Sequence, residues 1–121
     1  MFHVPNLASF LPEHAIRIGH RLAEFGIDWY EEPCLSENID LVAEVRRAVP
    51  IPIVTGEAIY SKEAFFECLA KRAADILNPD ICAVGGITAM LDIAAMAQPQ
   101  AVVMPNVARR PAPPAPTMTT S

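Results

Sequence analysis

The chain has 121 residues, 52% of them hydrophobic and 19% charged, which describes one modest globular domain with a core and not a disordered polymer. Nine Lys and Arg against fourteen Asp and Glu give a formal net charge of -5, so no overall basic field draws nucleic acid or an anionic membrane surface. No apolar run approaches the roughly 20 residues of a bilayer span, the first residues lack a secretory pattern, and Cys34, Cys68 and Cys82 have neither zinc nor disulfide spacing; a reducing cytoplasm is expected.

In chain order, Ala15, Ile18, Leu22 and Phe25 recur at helical spacing over residues 12–25, with Pro12 suited to the first turn and Gly26 to a left-handed stop. Residues 27–31 read as a strand. Val42, Val45 and Val49 predict a second helix that Pro50 breaks. Residues 51–55, "IPIVT", are β-branched and almost wholly apolar, the pattern of a parallel strand covered on both faces. Ser61 is the expected N-cap of a helix through Phe65, Cys68 and Leu69 to Lys71 and Arg72, whose charges would complement the negative end of the helix dipole. Residues 74–78 form a third strand ending at Pro79-Asp80, Gly85-Gly86 a structural turn, 87–97 a helix, and 101–104, "AVVM", a fourth strand. Beyond Met104 the periodicity stops, and the Pro, Ala and Thr of 105–121 predict a disordered tail beside a folded domain over 1–104. Alternating strands and helices imply an α/β protein of about four parallel βα units, either a doubly wound sheet or part of a (β/α)8 TIM-type barrel.

Three apolar strands end in Glu31, Glu57 and Asp80, 26 and then 23 residues apart, each interval one βα unit. In a parallel sheet all C-terminal strand ends share one side, so these carboxylates converge where βα-loops build active sites. Gathered acids need a counter-charge, and a hard divalent cation that keeps water and substrate among its ligands, such as Mg²⁺, supplies it. The competing reading is that the acids are ordinary hydrophilic loop starters. Spacing alone does not choose between them.

These same stretches, "WYEEP" at 29–33, "IPIVTGE" at 51–57 and "ADILNPDICAVGGIT" at 74–88, resemble the barrel domain of the enolase superfamily, in its mandelate racemase and muconate lactonizing enzyme branch. The resemblance runs over about 15–104 and implies the middle strands of a (β/α)8 barrel. It further implies that Glu31 and Glu57 are Mg²⁺ ligands in an enzyme that removes the proton α to a carboxylate, and that Asp80 orients a catalytic histidine on the next strand. Among the branch, the motifs most resemble the sugar-acid dehydratases, which eliminate water from aldonic or aldaric acids; racemases and cycloisomerases share the scaffold.

The pattern departs from the family at three places. Val4 stands where the resemblance calls for the first acidic ligand, before Asn6; the histidine position falls near Asn106 or Val107; and the Lys-x-Lys base motif would precede Met1. The 121-residue chain alone, read as a fragment of such an enzyme, is therefore expected to be inactive, and the Arg, Ala and Pro mixture after Met104 raises truncation or a frame shift as a further hypothesis. An alternative from another class is a non-catalytic half-barrel that covers its exposed edges by pairing with a second copy, and a homo-oligomer is expected in either case. His14 and His20, six residues apart on one helix, have poor spacing for a shared site, and Arg109-Arg110 carries no assigned role.

Overall fold

The computed structural model describes residues 3–4 and 11–104, with side chains from residue 11 onward. The proposed tail at 105–121, Asn6, and the expected histidine position at 106–107 lie outside the described residues. Among the described residues, two of the four α-helices start on a side-chain cap, one on a proline and one on a glycine turn. Helix α1 (Pro12–Ala23) opens on Pro12, whose missing N–H is not needed there, and the chain leaves it through Gly26 at φ +66. Helix α2 (Ile39–Ala48) is capped by Asn38, which accepts from the Leu41 amide, and α3 (Lys62–Ala70) by Ser61, which accepts from the Ala64 amide at 3.2 Å. Helix α4 (Ile87–Ala97) follows the turn at Gly85 and Gly86, both at positive φ and tied back by amide bonds to Cys82 and Ile81.

The strands β1 (His3–Val4), β2 (Trp29–Glu31), β3 (Ile53–Thr55) and β4 (Ile76–Leu77) form one parallel sheet in the order β1-β2-β3-β4. The residues expected as a fourth strand at 101–104 make one parallel bridge, Val103 to Ile76, which starts the next position on the β4 side. Among the described strands the order never reverses, so they hold no switch point of a doubly wound sheet, and the progression is that of a partial TIM-type barrel. The strands are shorter than their apolar runs. Pro52 has no N–H to give a ladder, although its carbonyl accepts from Tyr30 at 2.9 Å, and the Ile53 amide turns to the Asp75 side chain.

Register sorts the side chains into two layers. Tyr30, Ile53, Thr55 and Leu77 share the face packed under the helices and are fully buried with Val42, Val45, Phe65 and Ile93. Trp29, Glu31, Val54, Ile76 and Asn78 occupy the other face, which is the inside of the barrel arc, and all but Val54 are half-buried. Of the adjacent Trp29 and Tyr30, the tryptophan alone faces inward. Fully burying side chains such as Phe65 or Ile53 contributes about 1.5–3 kcal/mol each, so this outer layer carries the fold.

The basic pair after α3 does different work from the dipole role expected of it. Lys71 bonds Glu67 at 2.6 Å and reaches Asp40 in the first turn of α2 at 3.0 Å, fastening two helices, while Arg72 sits in the turn at φ +51. No helix among the described residues is long and apolar enough to cross a membrane.

Candidate metal-binding face

Glu31 ends β2 on the inner face, and register places Asn78 on that face two strands away. The Asn78 amide donates to Glu31 Oε1 at 3.3 Å. Glu57 follows β3 by way of Gly56, whose φ of +136 turns the chain against β4. A Cβ there would stand 3.0 Å from the Asn78 nitrogen and 3.1 Å from its carbonyl carbon, so glycine is required by space as well as by conformation. Glu57 itself is exposed at the mouth of the arc.

Between these two acids lies a residue that strand periodicity did not single out. Glu32 has φ +45, unusual for a non-glycine residue, and its amide donates to the Val54 carbonyl at 2.9 Å. Its carboxylate accepts from Thr55 Oγ1 at 3.1 Å on both oxygens and from the Gly56 amide at 3.1 Å. Burial lifts the Glu32 pKa above the ordinary glutamate value; the two donors oppose the rise, and the charges of Glu31 and Glu57 add to it. Glu32 thus feels both neighbouring charges, and among the described residues none of the three acids forms a salt bridge. The doubled acid of "EEP" was the available signal for Glu32, and a polar Asn at the end of an apolar strand was the signal for Asn78.

Asp80 stands in the loop after β4, at the same end of the sheet. Its Oδ1 accepts from the Cys82 amide at 2.7 Å and the Ala83 amide at 3.1 Å, so the carboxylate is anchored to its own loop. His14 and His20 are exposed on α1, remote in sequence and element from the strand ends. The side chain of Val4, as well as Arg109 and Arg110, lies outside the described residues.

Glu31 and Glu57 offer oxygen donors with no salt-bridge partner among the described residues, a donor set that fits a hard divalent cation. Among the described residues no three His, Cys, Asp or Glu side chains gather into a cage, so these two acids would leave most of the coordination sphere to water, substrate or other protein groups.

A model of the enolase C-terminal domain-like family matches residues 7–108. The D-galactarolactone cycloisomerase of Agrobacterium fabrum is 42% identical over 94 residues, which are 77% of this chain and 25% of that protein. The arabinonate dehydratase of Saccharolobus solfataricus is 37% identical over 86 residues, 71% of this chain and 23% of its own length. The crystal structure of L-talarate dehydratase from Polaromonas sp. JS666, complexed with Mg and L-glucarate, superposes with a TM-score of 0.80 at 30% identity, covering 84% of this chain and 28% of that one. The chain spans about a quarter of the length of the relatives it matches. A shared motif set, a shared parallel arc and a family match over most of its length show that the chain belongs to the enolase C-terminal domain-like family.

Proposed function

We propose that the chain supplies part of the Mg²⁺-binding face of an enzyme that removes the proton α to the carboxylate of a sugar acid and expels water, a metal-dependent dehydratase. The observation that carries this reading is the pair Glu31 and Glu57, which end adjacent parallel strands within electrostatic reach of Glu32 and have no salt-bridge partner among the described residues. Glu31 and Glu57 hold the ion, and the Asn78 amide orients Glu31. A bound Mg²⁺ would offset the negative charge that grows on the substrate carboxylate as its α proton leaves. Asp80, fixed in direction by two loop amides, suits an acid that aims a histidine and sets its tautomer. The names of the similar proteins support sugar acids as the substrate class.

Among the described residues the only histidines and lysines are on helices or their ends, not at the strand mouth, apart from His3 in β1, so the 121-residue chain is expected to bind metal without turning substrate over. Titration with Mn²⁺, followed by the paramagnetic resonance of the free ion, tests the site. Glu31→Gln and Glu57→Gln should each weaken binding about tenfold or more. Unchanged affinity in both variants overturns the metal assignment, and Mg²⁺-dependent dehydration of a sugar-acid panel by the chain alone overturns its expected inactivity.

The 42% identity to a cycloisomerase favours a second reading, isomerisation without loss of water. Proton NMR of the products formed by the complete enzyme separates the two. Exposed Phe66, Ile87 and Leu91 on α3 and α4 support self-association, and sedimentation velocity on the purified chain tests it: dimers or larger species are expected. Its free cysteines, two of them buried, suit a reducing compartment such as the cytoplasm.

A further inference from the structure

We infer that Glu32 is a positioning residue for the two strand-end acids, a brace that fixes Glu57 relative to Glu31; this rests on the metal reading of those acids. The brace spans two strands. On one side Glu32 is bonded covalently to Glu31, and its own amide is held by the Val54 carbonyl at 2.9 Å. On the other its carboxylate takes the Thr55 hydroxyl and the Gly56 amide, both at 3.1 Å, and these are the two residues that immediately precede Glu57. Thr55 is fully buried, so its hydroxyl has no water to exchange for this acceptor.

The cost of the arrangement indicates that it does more than close a turn. A left-handed non-glycine backbone is strained, and the acid is half-buried beside two like charges. A loop needing to reverse direction alone is served by glycine and a neutral side chain, as Gly56 shows one strand away. What a carboxylate adds is two acceptor oxygens and no donor, so the Thr55 hydroxyl and the Gly56 amide can both point at it and cannot point at Glu31 or Glu57. The ligand oxygens are thereby left for the cation.

The test is Mn²⁺ affinity of the purified chain, with thermal unfolding measured alongside. Glu32→Ala should weaken Mn²⁺ binding about tenfold or more, the range seen when groups that orient metal ligands are removed. Glu32→Gln, which keeps one oxygen for the Gly56 amide, should stay within about fivefold of the parent, and Thr55→Val, which removes a donor but keeps the shape, should fall between the two. If Glu32→Ala is too unstable to assay, the comparison of Thr55→Val with the parent decides. Glu57→Gln losing binding while Glu32→Ala, or in its place Thr55→Val, retains parental affinity overturns the brace and leaves the metal site standing. If Glu31→Gln and Glu57→Gln also bind as the parent does, the metal reading fails and the brace with it.

Discussion

Asp75 holds the opposite end of the sheet, and removing it should separate a surface ion pair from a buried hydrogen bond. Its Oδ1 accepts from Arg46 Nε at 3.1 Å and Nη2 at 2.7 Å, while its Oδ2 accepts from the Ile53 amide at 2.9 Å. The Asp75 amide in turn donates to the Ile53 carbonyl, so the aspartate closes the ladder that Pro52 interrupts. Both charged side chains are about a third exposed, and solvent limits their pairing to about 1 kcal/mol. Ile53 is fully buried, and stranding its amide costs about 1–3 kcal/mol more. Asp75→Ala should therefore destabilise the protein by about 2–4 kcal/mol, whereas Asp75→Asn, whose side-chain oxygen still accepts from Ile53, should lose about 1 kcal/mol. Asp92→Asn, which breaks the half-exposed pair with Lys62, is the control and should cost less than about 1 kcal/mol. Urea unfolding with an unchanged slope measures each difference. Equal losses for Asp75→Ala and Asp75→Asn would refute the reasoning, because they would show that the Ile53 amide does not depend on this acceptor.

Gly56→Ala should destabilise by more than about 1 kcal/mol and weaken Mn²⁺ binding together, since the added methyl meets the Asn78 backbone and any L residue resists φ +136. Parental thermal stability in that variant would count against the close approach. Tyr30→Phe should be neutral or stabilising by up to about 1 kcal/mol, because the buried Tyr30 hydroxyl has no hydrogen-bond partner among the described residues; destabilisation in urea would reveal one. Burial pushes the Cys34 thiol up to about 11 and the Cys68 thiol up to about 12, so iodoacetamide at about pH 8 should label exposed Cys82 in the native protein and all three cysteines after unfolding, as read by mass spectrometry. The unfolded chain ionises these thiols first, near 9, so they should also make stability fall as pH rises from there through 11 and 12.

Much of this architecture was legible because single residues announce it. Pro12, Gly26 and Ser61 each do in the structure what their local chemistry predicts, and the helical spacing of Val42 and Val45 marks a buried face. The start of α2 was less visible, since its apolar stripe begins after the Asn38 cap. The choice between a doubly wound sheet and a barrel was not in the periodicity at all. It depends on which strand neighbours which, a property of long-range pairing to which hydrophobic patterning is blind. Glu32 was hidden for a related reason. In a strand, alternate residues face alternate sides, so a second consecutive acid reads as a solvent-facing neighbour of the first. In the structure Glu32 meets Thr55, a buried residue of the helix-covered face, and the Gly56 amide, so it is held inside the protein and not left to solvent.

The two ends of the sheet treat negative charge in opposite ways, and this difference is the strongest argument that one end is a site. Where the strands begin, Asp75 is paired with Arg46 from the last turn of α2, so charge there is matched and serves cohesion. Above them, Glu31, Glu32 and Glu57 stand without a salt bridge among the described residues, and the Glu32 pKa is raised, chiefly by burial and further by the charges of the other two. Simple loop starters would gain nothing from that crowding, and the neutral amides at hand, Asn78 and the Gly56 backbone, orient the acids without cancelling their charge. Under the proposed metal reading, acids that have no salt bridge among the described residues leave their charge to be balanced by a cation from solution. The difference in Mn²⁺ affinity expected between the parent and Glu57→Gln would give the size of that balance.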